Sequence, residues 1–119
     1  MKESRRIEEM AKLDGYFTSE HKRNGIPTGK MSWFHKNMLG AFSKPPHKYL
    51  NSHDDCQRVI DGLRCDAIGE FAVYLQKIII PQATDYTDAN VGFMLMATPA
   101  QKVEAILRAT DKWEEGGDK

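Results

Sequence analysis

Asp66-Ala67-Ile68-Gly69-Glu70-Phe71-Ala72-Val73-Tyr74-Leu75-Gln76-Lys77-Ile78-Ile79 is the stretch on which the fold class turns. Ile68, Phe71, Ala72, Leu75, Ile78 and Ile79 recur at helical spacing. The competing reading is a strand, because Phe71 to Leu75 and Ile78 to Ile80 are rich in β-formers. Length and phase favour a helix, and Pro81 ends it by removing a backbone donor and clashing with the preceding turn.

Working back toward the N-terminus, Ser52 with Asp55 three residues on resembles a capping box, and Asp54 and Asp55 suit the positive end of a helix dipole. Cys56, Val59, Ile60 and Leu63 then follow at i, i+3, i+4 and i+7, an amphipathic helix. At the start of the chain Ser4 is a candidate cap, Ile7, Met10 and Ala11 form a narrow stripe, and Gly15 is a stop. Working forward, 82–90 reads as a polar loop and 91–97 as a short strand or buried connector. In Thr98-Pro99-Ala100-Gln101 the threonine caps, proline takes the first helical position and Gln101 closes a capping box. Val103, Ile106 and Leu107 face the core, with Trp113 closing the stripe. The expected fold is mainly α, about four helices in a single small domain over 1–113, with a small β element as the α+β alternative. Residues 114–119 read as a flexible tail.

Residues 18–51 hold Gly25, Pro27, Gly29, Gly40, Pro45 and Pro46 and show no sustained period, so they read as a long basic and aromatic loop. Met31 to Leu39 is a candidate short helix or strand within it. The 119 residues carry seventeen basic and seventeen acidic side chains, which argues against a general nucleic-acid coat. Between Thr18 and Leu50, however, six cations (Lys22, Arg23, Lys30, Lys36, Lys44, Lys48) face only Glu20; six less one gives +5, leaving −5 elsewhere. The longest apolar run, Ile78 to Ile80, is too short to span a membrane, and a charged N-terminus gives no secretory signal. A cytoplasmic setting is expected, with Cys56 and Cys65 reduced.

Catalytic signatures are weak. His53 and Cys56 sit within one turn, with His47 and Cys65 nearby in sequence, but a zinc site usually needs a second close couple. Cys56 falls on an apolar helix face and reads as structural rather than nucleophilic. Asp54-Asp55 and Glu114-Glu115 are adjacent pairs that split across helix faces. Gly25-Ile26-Pro27-Thr28-Gly29-Lys30 lacks the spacing of a phosphate-cradling loop. No catalytic residue, metal or cofactor is expected. The remaining chemistry is the mixture of Lys30, Trp33 and Phe34 with neighbouring lysines and aromatics. Cations of this kind hold phosphate and aromatic faces stack on bases. The competing reading places the aromatics in the core and leaves the lysines to solvate the loop.

Three stretches, in order, resemble a type of small phage or prophage protein. They are Lys12-Leu13-Asp14-Gly15-Tyr16, Tyr49-Leu50-Asn51-Ser52-His53-Asp54, and Ala97-Thr98-Pro99-Ala100-Gln101 running to Leu107-Arg108-Ala109 and Lys112-Trp113. In outline the chain is most similar to the first-described family of Thoeris anti-defence proteins. That resemblance implies a non-enzymatic, oligomeric protein of the infected bacterial cytoplasm that sequesters a nucleotide-derived immune signal. It also implies polar ligand contacts from Arg58, Asn90 and Arg108. Two alternatives stand beside it. One is a protein-binding inhibitor of a host bacterial protein, anchored by Trp33, Phe34 and Met38. The other is a weak nucleic-acid binder using the basic loop.

Overall fold

A computed structural model describes residues 1–82 and 88–115; within those, the side chains at 21, 28, 30, 88–90 and 93 are not described. Five helices and one hairpin occur in the described residues: α1 Glu3–Leu13, β1 Tyr16–Arg23, β2 Ile26–His35, α2 His53–Asp61, α3 Cys65–Ile79, α4 Asp88–Leu95 and α5 Pro99–Ala109. The architecture is α+β, the alternative to the mainly α reading.

The helices form where local chemistry asks for them. The Thr98 hydroxyl accepts from Gln101 N at 3.2 Å, and the Gln101 side chain accepts from Thr98 N at 2.9 Å, so the expected capping box is complete. Ser52 caps α2 by accepting from Asp55 N at 3.2 Å. Residues 65–79 are helical, as their phase requires, with Leu75 buried and Phe71, Tyr74, Ile78 and Ile79 partly buried. The start of α1 differs from expectation by two residues: Lys2 occupies the cap and Ser4 lies inside the helix. Asp88–Leu95 is α4, so 88–90 of the expected polar loop and 91–95 of the expected strand or connector over 91–97 are helical instead, while 83–87 of that loop lie outside the described residues; a short apolar run does not by itself separate strand from helix.

α5 is the hub. Val103, Ala105, Ile106 and Leu107 are fully buried, and α1, α2 and α3 all pack against this helix. Met10 and Ala11 from α1, Cys56 and Val59 from α2, Tyr16, Trp33 and Tyr49 join Val103, Ile106 and Leu107 in one core; Leu75, Ala97 and Ala105 form a second. Trp113 packs at the edge of the first, between the guanidinium groups of Arg6 (5.1 Å) and Arg108 (4.9 Å).

The largest correction concerns the loop at 18–51. Its first half is an antiparallel hairpin in which Phe17 pairs with Phe34, Thr18 with Trp33, Ser19 with Ser32 and Arg23 with Ile26. The residues that look like breakers have places in it. Asn24 and Gly25, at φ 54° and 79°, form the two-residue turn; positive φ at both positions matches the right-handed strand twist. Gly29, at φ 75°, lies where the register slips between Glu20 and Lys22, and its N–H donates to Glu20 Oε1 at 3.1 Å. Pro27 sits one residue into an edge strand, where its missing donor is tolerated. Beyond His35 the chain runs to Ser52 without regular elements, bridging to the sheet backbone where Trp33 and Phe42 exchange two 2.8 Å hydrogen bonds.

Candidate ligand-binding site

Gly15 makes the geometry of the site possible. At φ 96° it turns the chain sharply out of α1, and a Cβ there would lie 3.0 Å from His35 Nε2 and 3.1 Å from Lys36 Cε. Only glycine allows both the conformation and the approach. The turn leaves Asp14 and Tyr16 side by side, facing the segment 47–58.

Asp14 is nearly buried and is held by three hydrogen bonds from two residues. Arg58 donates Nε to Oδ1 at 2.9 Å and Nη2 to Oδ2 at 2.6 Å, and the Tyr49 hydroxyl donates to Oδ2 at 2.7 Å. Arg58 Nη1 also donates to Asp55 Oδ1 at 2.9 Å. Burial pushes the Asp14 carboxyl up, but the hydrogen bonds from Arg58 and Tyr49 and the guanidinium charge outweigh it and hold it below the ordinary carboxylate range. Arg58 is correspondingly raised, chiefly by its bond to Asp14. Tyr49 is completely buried, and desolvation together with Asp14 pushes its phenol far above the ordinary value.

His47 links this cluster to Tyr16. Its Nδ1 lies 3.4 Å from Asp55 Oδ1 and its Nε2 2.8 Å from the Tyr16 hydroxyl. With the proton on Nδ1, facing the carboxylate, Nε2 accepts from Tyr16. Tyr16 is raised by burial and by the Asp14 charge, which keeps it a donor. The rings of His35 (4.5 Å), Phe42 (6.2 Å) and His47 (5.6 Å) meet Tyr16 edge to face. His35 is fixed in turn: Nε2 donates to the Asp14 carbonyl at 3.0 Å, and Nδ1 accepts from Asn37 N at 3.0 Å.

Two clefts meet at His47. The first, about 440 Å³, runs between α1 and residues 43–51; Trp33, Lys44, Pro45, Pro46 and Lys48 line it opposite Glu3, Ile7 and Glu8. The second, about 430 Å³, lies between Asp14, Tyr16, His35 and Arg58, with Lys36 and Met38 at its side. Both volumes are those of small-molecule sites.

Of the six residues expected to contact a ligand, the four whose side chains are described do not converge. Trp33 is 8% exposed and belongs to the core, with only its edge on the first cleft. Phe34 points to the opposite face, because neighbours in a strand alternate, and stacks on Phe17 at 5.9 Å. Trp33 and Phe34 therefore share no surface. Arg58 lines the second cleft while committed to Asp14 and, one turn back in its own helix, to Asp55. Arg108 lines a different pair of shallow depressions beside Tyr74, bonded to Glu104 at 3.2 Å and Glu115 at 2.7 Å. Burial works against its charge, and those two carboxylates more than compensate. Lys30 lies in β2 and Asn90 in α4, but their side chains are outside the described residues.

The cysteines and histidines have other occupations. Cys56 is buried, its thiol 3.2 Å from the Tyr49 carbonyl and pushed up to about 11 by desolvation, so it is a poor nucleophile. His53 Nδ1 meets Lys102 Nζ at 3.1 Å rather than a metal partner. No group of three metal-ligating side chains occurs among the described residues. Among those residues no helix is long and apolar enough to cross a membrane.

Asp14, Tyr16, Tyr49 and Asp55 escaped the list of candidate contacts. The only signal was indirect. Asp14-Gly15-Tyr16 and Tyr49 lie in two of the stretches that carry the family resemblance, and the fold brings those two stretches into contact. Comparison with known proteins adds no constraint to this picture: no family model, no curated protein and no solved structure matches the chain.

Proposed function

We propose that this protein is a non-enzymatic binder that captures a small anionic ligand carrying a flat ring, of the nucleotide class, in the cleft beside His47. The observation that carries the reading is the lining of that cleft. Pro45, Pro46, Ile7 and the edge of Trp33 make an apolar wall; Lys44 and Lys48 stand on one side, and Glu3 and Glu8 on the other. A ligand with phosphate at one end and hydroxyl or amino donors at the other matches that polarity. Lys44 and Lys48 make no ion pair among the described residues, so their charge is available.

Absence of chemistry in the captured ligand is supported by how the reactive groups are used. The Asp14 carboxylate is saturated by Arg58 and Tyr49, the Cys56 thiol is buried, and Tyr16 and Tyr49 are held protonated. The resemblance to Thoeris anti-defence proteins supports the biological half of the proposal: a phage counter-defence protein acting on a nucleotide-derived immune signal.

Calorimetry and thermal shift with cyclic ADP-ribose variants and cyclic dinucleotides test the proposal. The expected result is stabilisation by at least one of them, recovery of that ligand unchanged, and affinity at least about tenfold weaker in a Lys44→Ala/Lys48→Ala variant. No stabilisation by any member of the panel removes the reading.

A further inference from the structure

We propose that the β1–β2 hairpin is a nucleic-acid arm. It grips duplex DNA through Lys22 and Arg23 on the phosphates and sets Ile26 as a wedge in the minor groove. This goes beyond the small-ligand reading and rests on different residues.

Shape is the first observation. Every described side chain from Phe17 to Gly29 is exposed, and so is Met31. The molecule measures 58 × 32 × 23 Å with a radius of gyration of 16.5 Å; a globular chain of this length would be near 13.5 Å. A projecting two-stranded ribbon pinned by a tight Asn24-Gly25 turn has the form of the strand elements that reach into DNA grooves, its tip residue entering ahead of the strands.

Charge is the second. On the helical body, Arg5, Lys12, Arg58, Arg64 and Arg108 are all in ion pairs. Lys22 and Arg23 make none among the described residues, and both are exposed. The arm's one carboxylate, Glu20, is turned back onto Gly29 N. Those five cations of the body are neutralised by carboxylates, whereas the two beside the hairpin turn are not. Such cations bind phosphate by releasing condensed counterions. Across Tyr16 to His35 the sequence carries Lys22, Arg23 and Lys30 against Glu20, three less one or +2, so the hairpin is cationic while the remainder of the chain carries −2.

The tip is the third. Ile26 is 68% exposed and precedes Pro27, immediately after the turn. An apolar residue held in water at the end of a cationic ribbon is the arrangement by which architectural proteins insert between base steps. Duplex is favoured over single-stranded nucleic acid because no described aromatic side chain lies among residues 22–29 at the tip. Phe17 and Phe34 stack on each other at its base.

The test is fluorescence anisotropy of the full chain with a labelled duplex of about 25 base pairs, titrated across salt, with end-to-end energy transfer on the same duplex. Binding should weaken steeply with salt. Lys22→Ala/Arg23→Ala should bind at least about tenfold more weakly at low salt, with the log–log salt slope reduced by about 2. Ile26→Ser should keep the slope and lose the bend reported by energy transfer. Stabilisation by a nucleotide ligand should be the same in both variants, which separates this proposal from the previous one. The proposal is overturned by equal affinity and slope in wild type and the double variant, by tighter binding to a single strand of the same length, or by an unchanged bend with Ile26→Ser.

Discussion

The carboxylate of Asp14 receives the guanidinium of Arg58 edge-on, through bonds of 2.9 and 2.6 Å, although the two residues are 44 positions apart. This pair ties the end of α1 to the middle of α2 and sets the floor of the second cleft. Replacing Asp14 with Ala leaves the Tyr49 hydroxyl, fully buried, without its acceptor and the Arg58 fork half empty. The expected loss is about 2–4 kcal/mol in urea unfolding. Tyr49→Phe removes one hydrogen bond and should cost about 1 kcal/mol.

The same pair predicts an acid dependence. In the folded protein Asp14 releases its proton more readily than in the unfolded chain, where the ordinary value applies. The unfolded state therefore binds more protons at low pH, and stability rises with pH through that window. Asp14's contribution is complete above the ordinary carboxylate value near 3.8 and drains away as pH falls through the lowered folded value. Melting temperature against pH should show a drop below about 4 that is shallower in Asp14→Asn. An identical drop in both proteins would mean that another carboxylate controls the acid limb.

Gly15→Ala should destabilise by about 2 kcal/mol or more. It combines a positive φ with a Cβ 3.0 Å from the His35 ring. Gly25→Ala places a Cβ in open space and meets only the backbone penalty. Chemical unfolding of the two variants side by side measures the difference, which isolates the contact with His35.

Thiol reactivity should split cleanly. Cys65 is exposed and Cys56 is buried with its thiol raised to about 11. One equivalent should react promptly with a disulfide reagent near pH 8 and the second only in denaturant. Prompt reaction of both would place Cys56 at the surface and break the α2–α5 packing described above.

At α5, Thr98→Ala should cost about 1 kcal/mol, since both halves of its capping box are formed. Denaturant midpoints with unchanged slope are the readout.

Elements with local signals were legible in the chain. α2, α3 and α5 announce themselves through phase and through Ser52, Pro81 and Thr98, all within one or two turns of the helices they bound. The hairpin carried a signal as well, in Asn24-Gly25, but Gly29 and Pro27 mask the alternation that would frame it as strands. Misreading that segment as loop had a cost for the site. As loop residues, Trp33 and Phe34 are free to face one ligand; as strand residues they must part. The Asp14 cluster was invisible for another reason. Its members are recruited from the end of a helix, an irregular segment and a second helix, and no periodicity links positions 14, 47, 49 and 58. The cation at Arg58 was singled out, yet its partner lies in a part of the chain that only tertiary packing brings near.

His47 forms a common wall. One imidazole borders both hollows, tethered on one nitrogen to Asp55 and on the other to Tyr16. Anything seated on one side that tilts the ring or takes one of its tethers changes the space and the hydrogen bonding offered on the other. Occupants of the two sides would then influence each other's grip by equal factors, as thermodynamic reciprocity demands. Independent titrations in His47→Ala, beside coupled ones in the wild type, would be the mark of it.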